Sequence, residues 1–344
     1  MDITLILKYE NLNFNLKNII YYHLPLIQNL NQTIKINKST LIAFKKNQFI
    51  NIIKEHYNQF KKLISDFDCY TIKEINNLLS FKCNLPEYYI HEIIVYLLVN
   101  HYSIIETLNL GRKNLGENDN NMMYIIEGLK INNSIINLYL YNIDLEKNEN
   151  NMLYLSEGIK INTSIKSLNL SGNNLGENEK NMLYLGEGLK INSSLKSLNL
   201  SENKLGDNVK NIIYLFEGLR INNSIHDLYL DINNLGENEK NIIHLTEGLN
   251  INSSIKELYL EWNNLGKNEK SILYLKEGLK INSSIQKLDI CGNCLGENEK
   301  NMMYISECLN INTSIKELNL LMNDLEESIE IDFPKQFPKL KIVL

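Results

Sequence analysis

Residues 195–219 decide the fold, and their sequence is LKSLNLSENKLGDNVKNIIYLFEGL. The first half alternates apolar and polar residues around Leu198 and Leu200, which is the period-two pattern of a short strand. We expect the interior to be formed by Leu195, Leu198, Leu200 and Leu205. The polar residues between them would then face solvent on the other side of the strand.

The second half of the same stretch has the apolar spacing of a helix. Ile212, Leu215 and Leu219 lie at i, i+3 and i+7, so they share one helix face that would cover the strand. Asn208 or Asp207 is placed to cap the start of this helix. The unit is therefore predicted to be one strand followed by one helix.

This unit recurs along the chain with a fixed step of 30 residues. The element Leu-x-Leu, with Ile once in the second place, begins at Leu108, Leu138, Leu168, Leu198, Leu228, Leu258, Leu288 and Leu318. One unit alone buries too little apolar surface to offset the conformational entropy lost on folding, so units must stack and share a core. We predict an α/β solenoid, shaped as a horseshoe, with parallel strands on the concave face and helices on the convex face.

An asparagine follows six of the eight predicted strands and is expected to bind the backbone of the turn. Its side-chain amide can both donate and accept, as at Asn173, Asn203, Asn233, Asn263, Asn293 and Asn323. The first two repeats carry Lys113 and Ile143 there, so we expect those turns to be looser or differently built. Recurring Asn-x-Ser/Thr triplets, such as residues 192–194, are interpreted as repeat chemistry rather than glycan sites.

The segments that flank the repeats have a different pattern. Residues 1–102 lack the 30-residue period, and residues 41–67 and 87–99 show helix-like apolar spacing. We predict an α-helical N-terminal cap or small domain over residues 1–102, eight repeats over 103–323, and a C-terminal cap strand within 324–344. Caps are expected because the open end of a solenoid exposes its core.

The pattern of residues 189–206, LKINSSLKSLNLSENKLG, resembles the ribonuclease-inhibitor class of leucine-rich repeats. The resemblance covers roughly residues 105–323, about two thirds of the chain. It implies the horseshoe fold and a function through binding on the concave face. The family includes nuclease inhibitors, innate-immune sensor domains, microbial effectors and Ran GTPase-activating proteins, so the resemblance does not indicate a particular partner.

Composition narrows the class of partner and the compartment. The formal net charge of −6 disfavours nucleic acid, which requires clustered Lys and Arg, and favours a neutral or basic partner protein. The sequence shows neither a signal-peptide core nor a membrane span, and five cysteines are an odd number that favours reduced thiols. We expect a cytoplasmic monomer without nucleic-acid or membrane partners, located in a host cytosol if it comes from a virus or an intracellular bacterium.

Positions that vary between repeats are not fixed by the scaffold, and they indicate the binding surface. On the strands of repeats five and six they combine acidic and aromatic residues with the single tryptophan of the chain. The predicted partner-binding residues are Asp227, Tyr229, Asp231, Ile232, Glu257, Tyr259, Glu261 and Trp262. Aromatic anchors dominate protein interfaces, and carboxylates around them would select a partner with Lys or Arg. The alternative is a solvated strand surface on which an aromatic ring fills a gap beside the next repeat. The equivalent strand position of repeat seven, Asp289, is also expected to face solvent.

No catalytic, cofactor or metal site is predicted. Cys291 and Cys294 have C-x-x-C spacing, but the repeat register already assigns the residues around them, and a second pair for zinc is missing. The six histidines are scattered, and no phosphate-binding glycine loop occurs. Acids on the helices, such as Glu187 with Lys190, are interpreted as ordinary i,i+3 ion pairs.

Three classes of function remain open at this point. The first is a passive module that binds a partner protein, as an effector or inhibitor does. The second is a GTPase-activating regulator of the Ran type, which rests on the resemblance alone and would stimulate GTP hydrolysis. The third is a ubiquitin-ligase substrate adaptor, because residues 85–98, LPEYYIHEIIVYLL, are similar to the opening helix of an F-box.

Overall fold

The computed structural model describes residues 106–112, 115–117 and 119–344. The predicted helical region over residues 1–102 and the F-box-like segment lie outside these residues, and so does Lys113. Within the described part, one sheet contains nine parallel strands in chain order. The strands are β1 Thr107–Asn109, β2 Asn137–Tyr139, β3 Ser167–Asn169, β4 Ser197–Asn199, β5 Asp227–Tyr229, β6 Glu257–Tyr259, β7 Lys287–Asp289, β8 Glu317–Asn319 and β9 Lys341–Val343.

A helix follows each of the first eight strands. The helices are α1 Asp119–Ile131, α2 Asn150–Ile161, α3 Glu179–Ile191, α4 Val209–Leu219, α5 Glu239–Ile251, α6 Glu269–Ile281, α7 Glu299–Ile311 and α8 Glu327–Gln336. A short 3-10 turn, such as Leu205–Asp207, precedes each of the first seven helices. The prediction of an asparagine cap is confirmed, because Asn208 Oδ1 accepts a hydrogen bond of 3.0 Å from the backbone N–H of Lys210.

The core lies between the sheet and the helices. Leu198 and Leu200 from the strand side and Ile212, Leu215 and Leu219 from the helix side are fully buried. Neighbouring strands are about 4.8 Å apart while packed helices need about 8–10 Å, so the stack curves with the sheet on its inner side. The prediction of an α/β solenoid built from parallel strands and helices is confirmed.

The strand register repeats with the sequence period. Each residue of β4 pairs with the residue 30 positions later in β5, as Leu198 does with Leu228, and the same offset holds from β1 to β8. Equivalent residues of successive repeats therefore lie at the same height along the strand direction. Between β8 and β9 the offset is shorter, since Leu318 pairs with Ile342 after a connection that includes α8.

Asparagine side chains connect each turn to the next. The amide of Asn203 is fully buried and donates to the carbonyls of Leu170 and Leu200, at 3.0 Å each. Its Oδ1 accepts from the backbone N–H groups of Asn173 and Leu175. The expected role of the turn asparagine is thus confirmed, and the structure adds that it links two repeats.

The turn of the second repeat is built differently, as expected. Ile143 is fully buried and has no amide to give to the preceding repeat, although its backbone N–H donates to Asn173 Oδ1 at 3.0 Å. That turn therefore donates a hydrogen bond to Asn173 of the following repeat, but its own side chain makes none to the preceding repeat.

A second set of asparagines lies where the helices end and the strands begin. Asn192 is 8% exposed, donates to the carbonyl of Ile159 at 2.7 Å, and accepts from the N–H groups of Ser194 and Leu195. These bonds confirm that the Asn-x-Ser triplet is part of the repeat chemistry. Among the described residues, no helix is long and apolar enough to cross a lipid bilayer.

Candidate partner-binding face

The eight residues predicted to bind a partner lie on β5, β6 and the turns that follow them, and we call them the aromatic-acidic face. The two strands are neighbours, and their register places Asp227 opposite Glu257 and Tyr229 opposite Tyr259. The two tyrosine rings are stacked, with 4.2 Å between their centroids and 8° between their planes. The pair forms a single aromatic slab across the two strands.

Tyr259 is also held by charged neighbours. Its hydroxyl donates to Glu257 Oε2 at 2.6 Å and accepts from Lys287 Nζ at 3.1 Å, and the ammonium of Lys287 lies 4.8 Å from the ring centroid. Burial, followed by the hydrogen bond to Glu257, raises the pKa of Tyr259. Lys287 belongs to β7 and was not among the predicted residues, so this part of the face already contains one cation.

Asp231 binds the scaffold as well as lining the face. Its Oδ1 accepts from the backbone N–H of Glu261 at 2.9 Å, and its Oδ2 accepts from the hydroxyl of Ser201 at 3.0 Å. Burial raises the pKa of Asp231 despite these bonds. This carboxylate therefore bridges repeats four, five and six.

Glu261 is a carboxylic acid whose pKa is strongly raised. Its pKa is raised to about 7, first by burial and then by the charges of Asp289 and Asp231. No Lys, Arg or His among the described residues lies within ion-pair distance of it. Ionised Glu261 would thus sit next to two other carboxylates without a paired cation.

The expectation that Asp289 faces solvent is wrong, because this residue is only 5% exposed. Its Oδ1 accepts from the N–H of Cys291 at 3.1 Å, and its Oδ2 accepts from the side-chain amide of Asn319 at 2.9 Å. These two donors compensate the burial of the carboxylate. Asp289 extends the acidic part of the face to β7, and the signal for it is its register position opposite Tyr259.

Trp262 and Ile232 are the exposed apolar residues of the face, at 49% and 47%. Both follow a strand with positive φ, 53° at Trp262 and 54° at Ile232. The equivalent residue of repeat seven is Gly292, where an added Cβ would lie 2.5 Å from the Trp262 ring. The indole therefore rests on the backbone of Gly292, which fixes its position while leaving half of it open to solvent.

The remaining features have local explanations. Ion pairs within helices are confirmed by Glu187–Lys190 at 2.6 Å. Cys291 and Cys294 form no disulfide, and burial raises the pKa of Cys291 to about 11. Among the described residues, no group of three His, Cys, Asp or Glu side chains is arranged to hold a metal ion.

Comparison with known proteins agrees with this architecture. A family model for the leucine-rich repeat matches residues 162–177 and 192–208. The leucine-rich repeat-containing protein LegL7 from Legionella pneumophila is similar in structure, with a TM-score of 0.52 and 24% sequence identity, over 68% of this chain and 71% of that one. None of the curated proteins matches this chain in sequence.

Two further solved structures have lower similarity. Leiomodin-1 actin-binding site 2 has a TM-score of 0.29 and 15% identity over 66% of this chain and 91% of that one. The yeast Rad7 and Elc1 complex has a TM-score of 0.27 and 14% identity over 90% of this chain and 98% of that one. Both values are too low to bear on the fold. The matched repeats and the likeness to LegL7, together with the in-register sheet and its layer of helices, show that the chain has a leucine-rich-repeat fold.

Proposed function

We propose that this protein binds a partner protein on the aromatic-acidic face and that the partner inserts a Lys or Arg side chain there. Leucine-rich repeats are typically protein-interaction modules. The observation that carries the proposal is the half-exposed Trp262 next to Glu261, a carboxylate without a paired cation among the described residues. We propose that the face acts as a passive binding surface, as in an effector or inhibitor, because binding requires no catalytic or cofactor group.

The electrostatics of the acidic part favour a cation. Glu261 has a pKa of about 7 because burial and the charges of Asp289 and Asp231 outweigh the attraction of Lys287. A guanidinium or ammonium group would supply that compensation and lower the pKa. Arg is the better fit, because its planar head can stack on an indole while donating to a carboxylate.

The aromatic part provides a rigid apolar contact. Tyr229 and Tyr259 are already stacked, and Trp262 is seated on Gly292, so a partner that packs on them orders few additional rotatable bonds. Such pre-organised Tyr and Trp anchors account for most of the binding free energy in many interfaces. We propose that the binding takes place in the cytosol, where the five cysteines would stay reduced.

Affinity purification from lysate tests this proposal. The wild-type chain would be compared with a variant carrying Tyr229→Ala, Tyr259→Ala and Trp262→Ala, and circular dichroism would show that the variant is folded. The matched control carries Tyr154→Ala, Tyr184→Ala and Tyr274→Ala, which removes half-buried rings from the helix side. A protein retained by the wild type and the control but lost from the first variant supports the proposal. Equal retention by all three contradicts it.

A further inference from the structure

One exposed isoleucine recurs in every described repeat from the second to the seventh. Each lies at the end of a helix or just after it, and the exposed fractions are 54–67% for Ile161, Ile191, Ile221, Ile251, Ile281 and Ile311. These six make up half of the large hydrophobic residues that are exposed in the described part of the chain. They lie on the edge of the solenoid where helices end and strands begin, which we call the isoleucine edge.

The isoleucines are level with one another. Because successive strands pair in parallel with a constant offset of 30 residues, equivalent positions lie at the same height along the strand direction. Curvature of the stack displaces repeats sideways, not along the strands. The six side chains therefore form a row that follows the curve of the solenoid but stays near one plane. A flat surface can touch the whole row, whereas a straight helix or strand could touch only part of it.

Unpaired lysines accompany the isoleucines. Four repeats carry a lysine five residues after the isoleucine, namely Lys166, Lys196, Lys256 and Lys316. None of the four has an ion-pair partner among the described residues, and two donate instead to a carbonyl of their own loop. These four ammonium groups are thus available to an external anion.

The opposite edge of the same solenoid is different. There, where strands end and helices begin, most lysines pair with an acid of the preceding repeat. Lys210 with Glu179 at 3.0 Å and Lys300 with Glu269 at 3.2 Å are examples. The four lysines that lie five residues after an isoleucine lack such a partner among the described residues. Other lysines of the isoleucine edge, namely Lys160, Lys190 and Lys280, pair with a glutamate of their own helix.

We propose that the isoleucine edge docks onto an anionic lipid surface. The apolar row would enter the boundary between headgroups and acyl chains, and the lysines would contact lipid phosphates or carboxylates. Two features favour a membrane: the near-planar row, which matches a flat surface, and the four lysines of this edge that have no ion-pair partner among the described residues. This is peripheral attachment, and it differs from the sequence-based expectation of no membrane partner, which rested on the absence of a spanning segment.

Vesicle co-sedimentation of the full chain tests the proposal. The probes are vesicles of phosphatidylcholine alone and vesicles that also contain about 30% phosphatidylserine. We expect binding to the anionic vesicles, and we expect the partition coefficient to fall at least about tenfold in a Lys196→Glu, Lys256→Glu variant. An Ile191→Ser, Ile251→Ser variant should lose binding as well, because it removes two members of the apolar row without burying a polar group.

The matched control is Lys240→Glu with Lys267→Glu. Both lysines are exposed, lie on the opposite edge and lack an ion-pair partner among the described residues, so the change in net charge equals that of the first variant. Retained binding in this control supports a local surface. Absence of binding to anionic vesicles, or an equal loss in the control, overturns the proposal. The proposal is also overturned if the Ile191→Ser, Ile251→Ser variant binds vesicles as the wild type does but has a lower mass in sedimentation equilibrium. That result would mean that a second copy of the chain covers the isoleucine edge.

Discussion

Tyr229 and Tyr259 stack across two neighbouring strands, 4.2 Å between ring centroids and 8° from parallel. Stacked aromatic pairs contribute about 0.5–1.5 kcal/mol beyond the area they bury. The register forces this contact, because the two residues are direct partners in the parallel ladder. The slab is therefore a property of the folded scaffold before any partner binds.

We predict that Tyr229→Ala and Tyr259→Ala each weaken partner binding by about 2 kcal/mol and that the double variant loses less than the sum. Either change leaves the other ring without its stacking neighbour, so part of the loss is shared. Calorimetric titration of the two single variants and the double variant with the purified partner measures this coupling. Strict additivity would mean that the two rings contact the partner independently.

A second prediction concerns the backbone at Ile232, whose φ is 54°. A left-handed conformation costs a non-glycine residue about 1–2 kcal/mol, and the equivalent positions of repeats three and seven are Gly172 and Gly292. We expect Ile232→Gly to raise the free energy of unfolding by about 0.5–1 kcal/mol and to weaken partner binding.

Ile251→Gly is the control for this change. Ile251 has a similar exposed fraction, 55% against 47%, but it is the last residue of α5. Glycine there should lower the free energy of unfolding by about 0.5–1 kcal/mol. Urea denaturation of both variants decides the matter, and a loss of stability in both would show that the Ile232 side chain contributes more through packing than its backbone costs.

The third prediction follows from Glu261, whose pKa is raised from 4.5 to about 7. The folded state holds this proton more tightly than the unfolded state does, so its contribution to stability is complete below pH 4.5 and is lost as the pH rises to about 7. Burial of Asp231 raises its pKa too and acts in the same direction. We expect the melting temperature of the wild type to fall between about pH 5 and about pH 8, and to fall less in Glu261→Gln. Scanning calorimetry at both pH values would reveal this difference, and identical pH profiles would contradict it.

The titration of Glu261 also affects the binding of the partner. A cationic side chain from the partner favours ionised Glu261, so binding should strengthen between about pH 6 and about pH 8 and release a proton. Titration calorimetry in two buffers of different ionisation enthalpy measures the protons released. Glu261→Gln should abolish the pH dependence, and a partner that binds more tightly at the lower pH would exclude a cation at this site.

The 30-residue period was enough to predict the sheet and helices, because a Leu-x-Leu strand and an i, i+3, i+7 helix bury their apolar residues only in this arrangement. The same register predicted that the strands of repeats five and six are neighbours. Burial of Asp289 could not be predicted, since it depends on the backbone of Cys291 and the amide of Asn319, which approach it only in the folded stack.

Exposure of the isoleucines also escaped prediction. Ile191 is the last residue of α3, whose leucines are buried, and an apolar residue there would ordinarily be assigned to the core. It faces solvent because the helix ends at this residue and the buried Asn192 then turns the chain into the next strand. Polar residues define the path of the backbone here, and apolar periodicity contains no information about them.

The last prediction uses two adjacent asparagines with opposite environments. Asn222 is 4% exposed, donates to the carbonyls of Leu189 and Asn192 at 2.9 and 2.8 Å, and accepts from two N–H groups of its own loop. Asn223 is exposed, and no hydrogen bond of its side chain is found within the described residues.

Asn222→Ala would leave several buried polar groups unsatisfied, at about 1–3 kcal/mol each, so we expect a loss of about 3 kcal/mol or more in the free energy of unfolding. Asn223→Ala should change it by less than about 0.5 kcal/mol. Urea denaturation of the pair provides the comparison. Because Asn222 joins the end of repeat four to the end of repeat three, its loss should be greatest for amide protons of repeats three and four in hydrogen exchange. Equal effects of the two substitutions would mean that the second asparagine ladder does not hold the repeats together.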